Sequence, residues 1–184
     1  MGGAWERMVR SVKTALRVIL KEQLVGDFTL MTVLTEVESI LNSRPLTPLS
    51  EDVEDFECLT PNHLLLGRQS SSQPPGVFYE LDMSLRKRWR QSQYLADQFW
   101  KRWRREYLPT LQIRPKWNVE QRNVSVGDLV LVVEDGVKRS KWKTGRVESV
   151  MPGQDGRVRV ARVKTSTGSY VRPSAKLCLL ESCD

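Results

Sequence analysis

Residues 84–108 read SLRKRWRQSQYLADQFWKRWRREYL, and they decide how the rest of the chain is organised. Leu85, Trp89, Ala96, Phe99, Trp100, Trp103 and Tyr107 recur at helical spacing, so one face is apolar. The stretch holds eight Arg or Lys against two acids, and three of the chain's six Trp. Arg86, Lys87, Arg88, Arg90, Lys101, Arg102, Arg104 and Arg105 fall mostly on the remaining surface. The pattern predicts a long amphipathic helix with an aromatic seam and a cationic back. Such a helix packs on a protein core and still faces a polyanion. Its periodicity assigns Trp89, Trp100 and Trp103 to a core rather than to base-stacking platforms. Pro109 and Pro115 are expected to end it.

Upstream, two further helical patterns appear. Trp5, Met8, Val9, Val12, Leu16, Ile19 and Leu20 mark one face of a helix from Gly3 to about Glu22. Gly26 and Asp27 break the pattern. Leu30, Val33, Leu34, Val37, Ile40 and Leu41 stripe a second helix to about Asn42, with Thr29 as the expected N-cap and Pro45 and Pro48 beyond its end. Residues 51–57 read as an acidic loop. Thr60-Pro61-Asn62 reads as a cap with Pro at the first helical position, opening a short helix that Gly67 stops. Residues 69–77 form a polar, Pro-rich connection.

From Val124 the pattern changes to short β-type runs separated by turn residues. Strands are expected at Asp128–Val133, Thr144–Val150, Val158–Thr165, Ser169–Arg172 and Lys176–Leu180. Five short strands in this space read as a small barrel of SH3-like type. Val158 and Val160 share one parity and Val163 has the other, so a bulge is expected near Ala161.

The chain has 184 residues, 40% of them apolar, and a net charge of +7. That balance points to nucleic acid more than to acidic partners. No run of eighteen apolar residues exists, so no membrane span is expected. The start, MGGAWERMVRS, lacks the apolar core of a signal peptide, and Glu6 stands where a myristoylation motif needs Ser or Thr. Cys58, Cys178, Cys183 and His63 show no metal-ligand spacing, so no structural zinc is expected and reduced thiols fit an intracellular protein.

A resemblance now becomes specific. The run GGAWERMVRSVKTAL resembles the last helix of a retroviral-type integrase core, and NSRPLTPLS and LTPNHLLLGR resemble the segments that follow it. VSVGDLVLVVED, KWKTGRV, PGQDGRVRVARVKT and YVRPSAKLCLL resemble the C-terminal domain of integrases from Pao/BEL LTR retrotransposons. The matches run in order over nearly the whole chain.

The resemblance implies an α+β chain in three parts. Residues 1–68 are a C-terminal helical fragment of an RNase H-like core, 69–119 the linker and basic helix, and 120–184 the SH3-like β-barrel. The family binds two Mg²⁺ or Mn²⁺ ions with two Asp and one Glu, because strand transfer needs a nucleophile activated and a leaving oxygen stabilised. Glu6 matches that Glu, and the two Asp would lie upstream of Met1. One carboxylate cannot build the site, so no metal and no activity are expected of this chain alone. On its own spacing, Glu6 also reads as a helix-surface residue in the first turn with Arg10 one turn on.

DNA contacts are expected from Arg7, Arg10, Lys13 and Arg17 on the first helix, and from Arg86, Arg90, Lys101 and Arg104 on the basic helix. In the barrel they are expected from Arg146, Arg157, Arg159, Arg162, Lys164 and Arg172, with Arg157 and Arg159 pointing outward together. A solvated basic face is the alternative explanation on the first helix, and simple solubility is the alternative in the barrel, where the strands concentrate positive charge beyond a mixed surface. The expected partners are DNA and either a second copy or an upstream integrase core, in the nucleus. Two alternatives stand beside this: a chromatin-reader-like SH3/Tudor module using Trp142 and Tyr170, and a non-functional remnant of a transposable element. The missing sheet predicts exposed apolar faces on the first helices and lower stability for 1–68 than for 120–181.

Overall fold

The computed structural model describes residues 3–20, 25–49, 56–69, 76–84, 87–111 and 122–183. Helix α1 spans Gly3–Ile19, and α2 spans Asp27–Asn42. Thr47–Pro48 (β1) and Cys58–Leu59 (β2) form a two-stranded antiparallel ladder that the sequence pattern did not announce. A short α3 covers Pro61–Leu66, and α4 covers Arg88–Leu111. Then come β3 (Leu129–Val132), β4 (Thr144–Pro152), β5 (Val158–Thr165), β6 (Gly168–Pro173) and β7 (Leu177–Glu181).

Local chemistry sets the helix ends. Helix α2 starts at Gly26–Asp27, three residues before the expected start. Asp27 sits in the first turn, where the helix dipole favours an anion. Thr29 is therefore not the cap: it is buried inside the helix, on the same face as Val33, Val37 and Ile40. Helix α3 is capped as expected. The Thr60 N–H donates to His63 Nδ1 at 3.0 Å, Pro61 occupies the first helical position, and Gly67 closes the helix at φ +66°. Helix α4 runs through Pro109 to Leu111 rather than ending before it. Pro109 and Arg105 are both exposed, so the carbonyl deprived of its donor reaches water. Leu85, Arg86, Pro115 and Trp117 lie outside the described residues.

Helix α4 is the centre of the helical half. Leu95, Phe99, Trp100 and Trp103 pack with Ala15 of α1 and with Val33, Val37 and Ile40 of α2. Each fully buried aliphatic or Phe side chain contributes about 1.5–3 kcal/mol by leaving water. The first two helices thus rest on α4 instead of being left without a partner surface. Their outer faces nevertheless stay apolar: Trp5 is 70% exposed, Phe28 59% and Met31 64%.

The sheet is antiparallel throughout, in the order β6-β5-β4-β3-β7. Its ends do not pair: β6 and β7 are joined by a 3₁₀ turn at Ser174–Lys176, so the hydrogen-bonded ladder is open and the expected closed barrel is not formed. One face still carries its own core of Val130, Val132, Val147, Ala161, Val163 and Leu177. The other face of β3 and β7 meets Leu108 of α4, with Leu131 and Cys178 in the contact. Covered on both sides, β3 is buried at every position, which is why Leu129–Val132 reads as an unbroken apolar run. Two bulges adjust the alternation between β4 and β5, one of them two residues from Ala161. Glu148 is the extra residue on β4, and Arg159 is the extra residue on β5.

The loop between β3 and β4 locks the two halves together. Trp100 Nε1 donates to the Val137 carbonyl at 3.0 Å, and the Trp142 ring lies edge-on to Trp100 at 4.9 Å and to Trp103 at 5.9 Å. Arg139, 8% exposed, donates to Gln93 and lies 3.3 Å from Asp97 and 3.6 Å from Glu36. Gln93 in turn donates to Glu36 at 2.7 Å. A buried guanidinium is tolerated only with such partners.

Candidate nucleic-acid interface

The alternation of β4 and β5 divides their side chains cleanly. Val147, Ala161, Val163 and Thr165 turn into the core, so Arg146, Arg162 and Lys164 turn outward. Arg146 stands directly opposite Lys164, and Arg162 is opposite Ser149 on one side and Val171 on the other. Arg146 also donates to the Gly127 carbonyl at 3.4 Å. Helix α4 covers the β3–β7 part of this outer face, Thr144 of β4 donates to the Phe56 carbonyl at 2.8 Å, and Arg162 on β5 is exposed.

The tip joining β4 and β5 extends the cationic surface. Asn123 fastens it by donating to the Gly156 carbonyl at 2.9 Å and accepting from the Val158 N–H at 3.1 Å. Arg157 is exposed there. Arg159 is exposed too, but it is paired. Its guanidinium is tied to Asp155 at 2.7 and 3.1 Å, and that bond holds the Asp155 carboxyl below its usual range. Arg172 also departs from the expected row. It faces Ala161 across the ladder, donates to Glu134 at 2.8 Å, and lies 5.2 Å from the Tyr170 ring. Arg172 first, then Lys143, keep Glu134 below the ordinary carboxylate range.

On α1, Glu6, Arg10, Lys13 and Arg17 line a shallow groove with Val9 and Thr14, while Arg7 Nε donates to the Gly3 carbonyl at 3.0 Å. Glu6 therefore sits beside cations. No group of three or more His, Cys, Asp or Glu is placed to hold a metal ion among the described residues. This donor set does not fit a two-ion centre.

On α4, Lys101 is exposed, as expected of a phosphate contact. Arg104 lies 5.9 Å from the Trp100 ring and is half-buried; burial lowers its pKa, opposed by Asp135 and Glu134. Arg90 is a structural clamp: it grips Asp82 at 2.7 and 3.0 Å and donates to the Val77 carbonyl at 3.1 Å. Arg90 first, then the Tyr79 N–H, lower the Asp82 pKa. Trp89 is a correction of another kind. Its side of the helix is not core; the residue is 45% exposed, with its ring 5.5 Å from Phe78 at 80°.

Sequence reasoning also missed Arg139, which has no periodic pattern around it to mark it as buried. The aromatic residues of the reader alternative are not open. Trp142 is taken into the α4 seam, and Lys143 Nζ lies 3.9 Å from the Tyr170 ring centre. His63 is a capping residue, with Glu57 3.5 Å from its Nε2. None of the three cysteines is in a disulfide.

No helix among the described residues is long and apolar enough to cross a membrane. No curated protein and no solved structure matches the chain. Residues 87–180 match the family of unknown function DUF5641, a segment that takes in the whole of α4 and the sheet almost to the end of β7. With half of its length covered by that match, the chain belongs to the DUF5641 family.

Proposed function

We propose that the chain is a DNA-binding, architectural part of a retroviral-type integrase of the Pao/BEL LTR-retrotransposon group, working in the nucleus and lacking a complete catalytic site of its own. The observation that carries this reading is the pair of exposed cations on β5 and at its tip. Arg162 is exposed on the outer face of β5 and Arg157 is exposed at the tip, with Arg146 and Lys164 half-buried on the same face. Cations on a rigid ladder bridge successive phosphates, and they do so without reading bases. The stripe of Arg10, Lys13 and Arg17 on α1 supports a second set of backbone contacts. The strand order and the 3₁₀ turn before the last strand support an SH3-like reading of the sheet. Glu6 is the one family carboxylate in this chain, so strand transfer requires further carboxylates to be supplied to it.

Titration of duplex DNA at increasing salt tests the proposal. Affinity falls with a log–log slope of about −0.9 per phosphate contacted. Arg157→Ala combined with Arg162→Ala weakens binding equally on unrelated sequences and makes the slope shallower by roughly 1.8, for two lost contacts. Affinity that stays level across salt, or a double variant that binds like the parent, overturns it.

A further inference from the structure

Helix α4 begins under a strap formed by residues 76–84, and the two are fastened by specific bonds. The Arg90 guanidinium holds Asp82 at 2.7 and 3.0 Å and the Val77 carbonyl at 3.1 Å. Asp82 also accepts from the Tyr79 N–H at 2.9 Å, and Gln91 donates to the Met83 carbonyl at 3.0 Å. Gly76 opens the strap at φ +132°, and a Cβ there would meet Phe78 at 3.2 Å. Only glycine combines that backbone angle with that close approach. The strap sets Phe78 against Trp89, ring centres 5.5 Å apart at 80°, while Arg90 lies 5.4 Å from the centre of the Phe78 ring.

The result is an aromatic pair with one ring held in place and partly in water: Trp89 is 45% exposed against a half-buried Phe78, and Tyr79, the next residue of the strap, is 61% exposed. Lys87 and Arg88, next to Trp89 in sequence, are both exposed. Of the two acids in the strap, Asp82 is paired with Arg90 and Glu80 is exposed. A hydrophobic core leaves neither ring in water, and a purely solvated surface does not anchor one ring against another. Fixed, accessible rings with cations beside them are the arrangement that takes unpaired bases: each base stacks on a ring and its phosphate meets a cation.

We infer that the strap and the first turn of α4 form a binding site for an unpaired DNA strand, with a base stacked on Trp89, another near Tyr79, and phosphates at Lys87 and Arg88. The choice of DNA as the polymer rests on the proposed function; the site itself rests on its own residues, away from the sheet.

The test compares an end-labelled oligothymidylate of about 20 nucleotides with a duplex of equal length, by fluorescence anisotropy. Trp89→Ala is expected to weaken oligothymidylate binding about 5- to 150-fold, the range of one lost stack, while Trp89→Phe keeps most of it. Duplex affinity stays unchanged in both variants, and the Arg157→Ala, Arg162→Ala protein shows the opposite pattern. Photocrosslinking of the unaltered protein to a 5-iododeoxyuridine oligomer gives a reading independent of any variant's folding: adducts fall on the peptide carrying Tyr79 or Trp89. Oligothymidylate binding that survives Trp89→Ala overturns the inference. So do adducts confined to residues of the sheet, and loss of duplex and single-strand binding together in the Trp89 variant. Failure of duplex binding alone overturns the proposed function and leaves this site standing.

Discussion

The helical half and the sheet half of this protein bury their cores in different ways. The sheet assembles its inner core from Val130, Val132, Val147, Ala161, Val163 and Leu177, all within one continuous stretch of chain. The helical core joins Ala15, Val33, Val37 and Ile40 to Leu95, Phe99, Trp100 and Trp103, and the two groups are far apart in sequence. It also leaves Trp5, Phe28 and Met31 in water on its outer side. A core made of near neighbours forms with small loops to close, whereas a core made of distant segments depends on every segment being in place. The sheet half should therefore hold together when the helical half is damaged.

Replacing Trp103 tests that asymmetry most severely. The side chain is fully buried, stacked on Phe99 and Tyr107, and edge-on to Trp142. Trp103→Ala is expected to cost about 3–5 kcal/mol, measured by chemical denaturation. Hydrogen exchange should show α1, α2 and α4 losing protection while Val130 and Val163 keep theirs. Equal loss in both halves would show a single cooperative unit and break the comparison. The reverse experiment has a smaller effect. A Cβ at Gly145 would run into the Lys164 carbonyl oxygen and lie 2.6 Å from Val163 Cγ1. Gly145→Ala should cost about 1–3 kcal/mol and remove protection from β4 and β5 first, with the helical amides largely unchanged.

Acid sharpens the contrast with the smallest effect. Glu134, on the sheet side, is held below its ordinary pKa by Arg172 and then Lys143. Its contribution to stability is present above the unfolded pKa and fades as pH falls through the folded one. Asp97, on α4, is raised by burial, with Arg139 opposing. The folded state holds that proton more tightly, so stability gains from Asp97 as pH falls through its folded pKa. Carboxyl carbon shifts followed by NMR should place the Asp97 midpoint above that of an ordinary Asp and the Glu134 midpoint below that of an ordinary Glu. A Glu134 midpoint at or above the ordinary value would show that the Arg172–Glu134–Lys143 cluster is not formed in solution.

Much of this architecture was legible in the residues. Short apolar runs separated by turn residues located β3 to β7 within a few positions, because β-type residues and turn chemistry are local signals. The cap at Thr60, Pro61 and Gly67 was legible because it is local chemistry. What could not be read depends on distant partners. Trp89 follows the same helical period as Trp100 and Trp103, yet it lies beyond the reach of α1 and α2 and meets the strap instead. Arg159 and Arg172 looked like Arg157 and Arg162 in sequence. Asp155 and Glu134 take them, and nothing in the spacing announces which cation meets an acid. The bulges at Glu148 and Arg159 shifted the alternation by one residue each, so the parity switch was visible and its location was not.

Helix α4 lends its flanks to both halves, and this bears on any attempt to move the matched segment. That segment opens at Lys87, at the threshold of the helix, and leaves α1 and α2 behind. Cut out on its own, it would present ridges of bare hydrocarbon at Leu95 and Phe99, now sheltered by Val33, Val37 and Ile40. A transplanted copy must therefore bring a companion that roofs those side chains, or it will find one by sticking to itself.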